Sequence, residues 1–302
     1  MNARQTGILV TACLAGASAF AVFTPRVANA QQAGSQQAQS ASGQGGAAGA
    51  DANNNNQDFT RPQNLFQVRG EYRTAPGSGS EPGTIRTVTT NQLTLRADAR
   101  FDIAPQWTVA LRSDLPFADK NPITADNPNG GYVQGLGDAD VQAALIKTIN
   151  ARWAAGAGLR IVAPTGAPDI TSGKWQALPI LGARYMLPEL SEGSYVLGLV
   201  RYNVSFAGDP SKRNISNLQL APTLNLGLPE TWFVTFYPDP EIRVNFGDPV
   251  TGQTGRLFLP FDFMVGRTVA KDTIVSLEIG VPIVRDYPVY DFKAVARLNV
   301  KF

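Results

Sequence analysis

The stretch "DFKAVARLNVKF", residues 291–302, decides the fold because its side chains alternate strictly between two chemical types. The residues of one parity are apolar, namely Phe292, Ala294, Ala296, Leu298, Val300 and Phe302. The other parity is mostly polar and includes Lys293, Arg297, Asn299 and Lys301. Successive side chains of a β-strand point to opposite faces of the sheet. The stretch therefore predicts a strand with one apolar and one charged face.

Segments of the same kind recur along the chain from Asn64 onward, each with period two and each closed by Gly, Pro, Asn or Asp. The twelve predicted strands are Asn64–Thr74, Thr84–Ile103, Trp107–Leu115, Leu136–Thr148, Trp153–Ala163, Lys174–Leu187, Ser194–Phe206, Ile215–Gly227, Thr231–Phe246, Arg256–Gly266, Thr273–Val284 and Val289–Phe302. Most exceed the five to six residues usual in soluble sheets and are long enough to cross a bilayer at a tilt.

The connections between these strands alternate in length. The long ones include Ala75–Gly83, Pro116–Gly135, Pro164–Gly173, Ala207–Asn214 and Gly247–Gly255. The short ones are Ala104–Gln106, Ile149–Arg152, Pro188–Gly193, Leu228–Glu230 and Arg267–Asp272. Long loops on one rim and short turns on the other are typical of outer-membrane barrels. The pattern predicts a closed antiparallel transmembrane β-barrel of about 12 strands with both termini in the periplasm.

Aromatic residues near the predicted strand ends favour a membrane barrel over a soluble one, because they would form interfacial girdles. They are Trp107, Trp153, Trp175, Tyr185, Trp232, Phe236, Phe246, Tyr290 and Phe302. A periplasmic β-sandwich or a soluble barrel is the alternative. Four prolines inside predicted strands remove ladder donors and predict bulges or strand ends: Pro179, Pro222, Pro260 and Pro282. They leave a ten-stranded barrel open, or a fourteen-stranded one with a strand in Phe117–Tyr132.

The N-terminal part divides into two predicted segments. Residues 1–30 have a basic start, an apolar run and the small-residue site Ala28-Asn29-Ala30, which predicts a secretory signal peptide. A retained membrane anchor and a lipoprotein cleavage site at Cys13 are the alternatives. Residues 31–58 are Gln, Ala, Ser, Gly and Asn without apolar periodicity, which predicts a disordered segment. The predicted barrel occupies residues 59–302.

Composition excludes several function classes. The chain has no histidine and one cysteine, Cys13. Most general-base chemistry, Ser-His triads and nearly all zinc sites need imidazole, so we predict no enzyme, no cofactor and no metal site. Of 26 basic and 24 acidic residues, Arg4 and Arg26 fall in the predicted signal peptide, which leaves the remainder balanced. Without a basic cluster we predict no nucleic-acid partner.

Two short motifs lie at the ends of predicted strands. They are Gly135-Leu136-Gly137-Asp138 and Pro164-Thr165-Gly166. With the alternating segments around them, they resemble the phenol meta-pathway family of outer-membrane transporters, from about Asn64 to Phe302. The resemblance implies a channel or transporter for small, aromatic molecules, although the acidic residue after the second motif is displaced to Asp169.

The motifs also have a physical interpretation of their own. We predict that Gly135 and Gly137 provide positive φ or a close approach where a long loop re-enters the sheet. Asp138 would cap the turn or accept a hydrogen bond from a lumen arginine, and Pro164-Thr165-Gly166 is typical of a turn. The alternative is that both motifs are rim structure without a ligand role.

The inward parity of the predicted strands carries charges that would hydrate a lumen and bias the charge of a permeant. The candidate permeation residues are Arg69, Glu71, Arg96, Asp98, Arg100, Arg112, Asp138, Asp140, Arg160, Arg184, Arg201, Arg243, Asp262 and Glu278. Apolar residues share this parity, which would suit an amphiphilic or aromatic permeant: Val162, Leu178, Ile180, Leu199, Phe233, Phe258, Met264 and Val295. The alternative is that the charges only pair across strands and fill the lumen.

The predicted function is passive diffusion of small, aromatic or amphiphilic molecules through the lumen of a barrel in the Gram-negative outer membrane. A structural or adhesive barrel that binds partners through its outer loops is the alternative. The expected partners are outer-membrane lipids, the permeant and the barrel-assembly machinery. In the outer-membrane proteins that this chain resembles, that machinery reads a terminal aromatic residue, and Phe302 is the candidate here.

Overall fold

Alternating side chains form twelve antiparallel strands in the computed structural model, which describes residues 57–78, 85–123, 127–237 and 241–302. The strands are β1 (Leu65–Ser78), β2 (Ile85–Ala104), β3 (Trp107–Lys120), β4 (Val133–Leu136 and Asp140–Thr148), β5 (Trp153–Val162), β6 (Lys174–Met186), β7 (Tyr195–Gly208), β8 (Ser216–Leu220 and Thr223–Gly227), β9 (Trp232–Tyr237 and Ile242–Asn245), β10 (Leu257–Ala270), β11 (Thr273–Arg285) and β12 (Phe292–Lys301). A 3₁₀ turn, Pro229–Thr231, joins β8 to β9. The predicted signal peptide, and the low-complexity segment up to residue 56, lie outside the described residues.

The sheet closes because β1 pairs with β2 on one side and with β12 on the other. The β1–β12 pairing runs without a break from Leu65 opposite Lys301 to Thr74 opposite Phe292. In lipid an open edge would leave backbone donors and acceptors unsatisfied, and closure removes that edge. The predicted closed antiparallel barrel of about twelve strands is confirmed. No further spanning strand lies in the described part of 117–132, because Phe117–Lys120 extends β3.

Prolines account for several irregularities in the ladder. Pro222 lies in the interruption of β8 between Leu220 and Thr223. The register of β10 against β11 shifts immediately before Pro260. The β6–β7 pairing reaches Ala177 and resumes at Ile180, on either side of Pro179. Because proline lacks a backbone N–H donor, these prolines lie at or beside local interruptions of the hydrogen-bond ladder.

The outer surface of the barrel is apolar. Side chains of the outward parity are highly exposed, among them Leu181 at 64%, Leu277 at 69% and Ile283 at 65%. Contiguous exposed apolar surface on this scale would be an aggregation hazard in water, and lipid is the solvent that it fits. Trp153, Trp175 and other predicted girdle residues lie on this face, but Tyr290 does not.

Tyr290 corrects the predicted girdle, because its side chain is fully buried. Its hydroxyl bonds both carboxylate oxygens of Asp262, at 3.0 and 3.1 Å. The ring packs on Phe258 with centroids 5.0 Å apart. Tyr290 precedes the first residue of β12, Phe292, so the outward parity of that strand does not extend to it.

The inner face is polar, as the alternation predicts. On β12 the buried side chains are Lys293, Val295, Arg297 and Asn299, whereas Phe292, Leu298 and Val300 are exposed. The eight apolar residues predicted to point inward are buried or half-buried on this face. The core of the protein is therefore the interior of the barrel, and its charges need partners there.

Candidate functional site: the barrel lumen

Strands β2 and β3 contribute two interior ion pairs in neighbouring register positions. Arg96 lies opposite Asp114, and Asp98 lies opposite Arg112. Both guanidinium groups bind their carboxylate through two nitrogens, at 2.6 and 2.6 Å in the first pair and 2.8 and 2.9 Å in the second. Bidentate pairs of this kind are strong and geometrically specific. These four charges therefore stabilise one another across the hairpin.

A buried network joins β10, β11 and β12. The Nζ atom of Lys293 lies 2.9 Å from Oδ1 of Asp262, and Lys293 also pairs with Glu278. Glu278 in turn pairs with Arg297 and accepts a hydrogen bond from the Tyr237 hydroxyl. All four charged side chains are buried. Because each charge has an opposite neighbour, the network can exist inside the barrel.

Further ion pairs line the middle strands. The Nε atom of Arg160 on β5 lies 3.5 Å from Oδ1 of Asp140 on β4. Glu241 pairs with both Arg201 and Arg243. These contacts agree with the alternative that many lumen charges pair across strands.

Arg69 and Lys120 differ from these residues, because neither forms an ion pair with any residue that the structure describes. The Nη2 atom of Arg69 donates a long hydrogen bond, 3.4 Å, to Oγ1 of Thr94. Its Nε atom is buried without an acceptor. Arg73 has one ion-pair partner in the part of the chain that the structure describes, Glu71, at 3.4 Å.

Two neighbouring cavities, of about 410 and about 380 Å³, occupy the lumen and share part of their walls. Both walls include Arg69, Arg73, Gln92, Asp114, Asp140, Val162, Gln176 and Arg243. The basic residues described in the wall of the first cavity are Arg69, Arg73, Arg96, Arg112, Arg160, Arg201, Arg243, Lys293 and Arg297, and the acidic ones are Glu71, Asp114, Asp140 and Glu241. The described surface of this cavity is therefore mainly basic.

One wall of the first cavity is apolar. Its residues come from β5, β6 and β7 and are Val162, Leu178, Ile180, Leu197 and Leu199. Strands β1 and β12, which carry Arg69, Arg73, Lys293 and Arg297, are about half the circumference away in a ring of twelve strands. The cavity therefore has an apolar patch on β5 to β7, beside Arg160 and Arg201 of the same strands, and further cations on the opposite side.

Residues 57–63, here called the inner segment, precede β1 and enter the barrel. The Asp58 carboxylate is buried and accepts hydrogen bonds from the backbone N–H of Thr60 (2.9 Å) and from its hydroxyl (2.7 Å). It also pairs with Nε of Arg61 at 2.6 Å and with Nη1 of Arg184 on β6 at 3.1 Å. Burial alone would raise the pKa of the Asp58 carboxyl, but Arg61 and Arg184 hold it below its ordinary value.

Two further contacts fix the inner segment. The Phe59 ring packs on Gly156 and Gly182, where an added Cβ would lie 3.0 Å from it. The Arg61 guanidinium lies 5.2 Å from the centroid of the Tyr195 ring. Asp58, which the sequence places at the end of the low-complexity segment, is instead an anchor inside the barrel. Gln57 and Phe59 line the first cavity.

The two sequence motifs contact each other at the rim that carries the long loops. The carboxylate of Asp138 accepts hydrogen bonds from Gly166 N (3.2 Å), Thr171 Oγ1 (2.5 Å) and Ser172 N (2.8 Å). The Thr165 hydroxyl accepts one from Ala139 N at 2.9 Å. Asp138 thus caps the loop between β5 and β6, and the hydrogen bonds that it accepts from described residues come from that loop.

The motif glycines act through close approach, not through positive φ. Gly135 and Gly137 are not among the described glycines that have positive φ. An added Cβ at Gly135 would lie 2.8 Å from the Cβ of Ala167, and one at Gly137 would lie 3.0 Å from Cγ of Pro116. Each glycine therefore leaves room for a neighbouring chain segment.

The structure distributes the candidate permeation residues over several places. The first cavity is lined by Arg69, Glu71, Arg96, Arg112, Asp140, Arg160, Arg201 and Arg243. The second cavity is lined by Asp138 and, of the residues just named, by Arg69, Asp140 and Arg243. Four are buried in the wall or against the inner segment: Asp98, Arg184, Asp262 and Glu278. Arg100 lies at the other rim, exposed, and binds Asp102 at 3.0 and 3.1 Å. Phe302 is 71% exposed and stacks on Phe66 with centroids 5.0 Å apart.

Lys120 is a cavity residue that the sequence did not identify. The predicted third strand ended at Leu115, before Pro116, whereas β3 continues to Lys120. Continuing the inward parity of Arg112 and Asp114 by three more steps would have found it. The described residues contain no group of three or more acidic or cysteine side chains that could hold a metal ion. In the same ranges, no helix is long and apolar enough to cross a membrane.

Comparison with solved structures shows the fold. The structure is similar to an outer membrane channel from Pseudomonas putida F1, with a TM-score of 0.64 and 16% identity over 82% of this chain and 98% of that chain. It is also similar to the KdgM porin (TM-score 0.47, 11% identity, 78% and 99% covered) and to the Ralstonia pickettii toluene transporter TbuX (0.44, 10%, 80% and 90%).

At these identities the similarity shows an outer-membrane β-barrel and nothing finer about substrate. No protein-family model matches the sequence, and no curated protein matches it. The link to phenol degradation that the motifs predict stays a prediction.

Proposed function

We propose that this chain is an outer-membrane channel through which small molecules diffuse passively. The observation that carries the proposal is the pair of neighbouring cavities, with shared wall residues, inside the closed barrel. Their walls are largely charged and polar, so water can fill them and a solute can exchange its hydration for wall contacts. The fold shared with an outer membrane channel supports the same conclusion.

The permeants that suit this lumen are small and aromatic or amphiphilic. The apolar wall of β5 to β7 supports this class, because it gives an apolar body a contact surface beside the polar one. The motif resemblance supports it independently. The proposal includes outer-membrane lipids around the apolar outer face, assembly by the barrel-assembly machinery through Phe302, and periplasmic termini.

Fewer observations support the alternative, an adhesive barrel that binds partners through its outer loops. It depends on the long connections Ala75–Gly83 and Pro116–Gly135 as exposed binding loops. In the structure β1 reaches Ser78 and β3 reaches Lys120, so strands occupy part of both connections.

Flux through liposomes tests the channel with a pair of adjacent residues on opposite faces of β7. Leu199 lines the first cavity, whereas Val200 is exposed on the outer face. We expect Leu199→Trp to slow entry of a small sugar by about twofold or more, because pore width limits flux. Val200→Trp should leave the rate unchanged. A folded wild-type barrel that admits solute no faster than protein-free liposomes would refute the channel.

A further inference from the structure

Three interior cations near the long-loop rim lie on β1 and β3, the two strands that flank β2. Arg73 on β1 lies opposite Thr90 on β2, which lies opposite Lys120 on β3. Arg69, four residues before Arg73 on the same face, lies opposite Thr94. Neighbouring strands are about 4.8 Å apart, so the backbones of Arg73 and Lys120 are roughly 10 Å apart. Their long side chains can therefore reach one small anion between them.

Two of these three cations have no ion pair with any described residue, unlike the other cations described in the walls of the two cavities. Arg69 and Lys120 have no ion pair within the described ranges, and Arg73 has only its contact with Glu71. Other interior arginines, such as Arg96, bind a carboxylate through two nitrogens. A charge without a partner is costly in a partly buried site. An anion in the cavity would supply the missing partner.

The surroundings of Arg69 and Lys120 increase that cost. Arg69 is repelled by Arg96 and Arg297, and the carboxylates that attract it, Glu71 and Asp114, already have arginine partners of their own. Lys120 is repelled by Arg73 and by Lys212, with Asp169 offsetting part of the repulsion. A bound carboxylate would reduce repulsion on both sides of the second cavity.

A hydroxyl donor lies beside Arg69, on the strand that separates β1 from β3. The Thr94 hydroxyl accepts hydrogen bonds from Nε2 of Gln92 at 3.0 Å and from Nη2 of Arg69 at 3.4 Å. Thr94 is buried, and its own hydroxyl hydrogen has no acceptor among the residues that the structure describes. Together with the unpaired Nε of Arg69, it offers a donor to an oxygen anion in the second cavity, whose wall includes both residues.

The same space can hold an apolar body. The second cavity is also lined by Pro116, Ala118, Val162 and Ile170. It shares Val162 with the apolar wall of the first cavity. The volumes of about 410 and about 380 Å³ lie within the range of about 300–1,000 Å³ found for small-molecule sites. A neutral aromatic compound would leave the cations unpaired, and a small inorganic anion would leave the apolar wall in contact with water.

We infer that the lumen binds small organic carboxylates, with the carboxylate held by Arg69, Arg73, Lys120 and the Thr94 hydroxyl and the apolar body directed toward the β5–β7 wall. This inference rests on the proposed channel function and gives it a substrate class. Because the site lies within the lumen, it selects a permeant on its way through.

Isothermal titration of the folded, amphipol-held barrel tests this site without depending on flux. Benzoate should bind saturably, whereas benzamide, of the same shape without the charge, should bind about tenfold more weakly or worse. Acetate, which lacks the apolar body, should also bind more weakly than benzoate. Equal affinity for benzoate and benzamide would overturn the inference.

Three variants and a matched control locate the site. Arg69→Met and Lys120→Met should each weaken benzoate binding by about tenfold, and Arg69→Lys should restore part of the loss. Arg285→Met removes the same charge from an exposed residue at the same rim, where Arg285 pairs with Asp291 at 2.6 Å, and should change affinity by less than about twofold. An equal loss in Arg285→Met would mean that rim potential, not a site, attracts the anion.

The outcomes separate the two proposals. Heat-modifiable gel migration establishes that each variant is folded before titration. A barrel that passes solute but binds benzoate and benzamide equally would retain the channel and refute the carboxylate site. A barrel that binds benzoate selectively but passes no solute would refute the channel.

Discussion

Gly280 shows how closely the interior depends on single residues. It lies on β11 directly between Asp262 on β10 and Lys293 on β12. The ion pair of these two residues crosses over the glycine, and an added Cβ would lie 1.8 Å from Oδ1 of Asp262 and 2.8 Å from the Tyr290 hydroxyl. Only a residue without a side chain leaves room for the contact.

Substitution of Gly280 by alanine should therefore destabilise the folded barrel by about 1–3 kcal/mol through overpacking. Gly70→Ala is the matched control, because Gly70 lies on the outer face of β1 and an added Cβ would meet nothing within 4 Å. The measurement is the urea midpoint of each variant in detergent micelles. Equal midpoints for the two variants would show that the buried ion pair moves aside without cost.

The accuracy of the sequence interpretation differs between kinds of element. Strands were predictable because burial on one face imposes a period of two, and on β12 this alternation assigned Lys293 and Arg297 to the interior. The end of β3 was not predictable. Proline usually ends a strand, whereas Pro116 lies inside β3, opposite Thr94. The ion pairing within the site was also not predictable, since Arg69 and Arg96 are both inward-facing arginines, yet of the two only Arg96 pairs with a described carboxylate.

The inner segment is an element that no local pattern could predict. Residues 57–63 have no apolar periodicity, and their order depends on contacts distant in sequence, such as Asp58 with Arg184, 126 residues away. The pKa of Asp58 is lowered, so its ionised form stabilises the anchored segment. That contribution is complete above the ordinary pKa of an aspartate and is lost as pH falls through the lowered value.

Asp58→Asn should loosen the inner segment at neutral pH, because it removes the charge that holds Arg61 and Arg184 together. We expect single-channel conductance to rise by about twofold or more, since the segment narrows the lumen. Asp209→Asn is the control: Asp209 lies in the exposed loop after β7, where it accepts a hydrogen bond from Ser211 N at 2.8 Å. Unchanged conductance in Asp58→Asn would mean that the packing of Phe59 on Gly156 and Gly182 holds the inner segment without the Asp58 charge.

At the scale of the whole molecule, closure through β1 and β12 makes one continuous hydrogen-bonded sheet. Such a barrel resists detergent and stays compact until it is heated. We expect the unboiled protein to migrate faster than the boiled protein on a gel, with the chain kept in urea as the unfolded reference. Identical migration of the two samples after refolding in detergent would contradict a closed barrel.

The seam between β1 and β12 also determines the order in which the barrel is made. The Asp98–Arg112 pair joins residues 14 apart in sequence, whereas Gln67 and Asn299 at the seam are 232 apart. By loop-closure entropy the seam contact costs about 2.5 kcal/mol more to form. Local hairpins should therefore form early and the seam last. Until that step the charged face is open to water, so its arginines and carboxylates find their partners before they are enclosed.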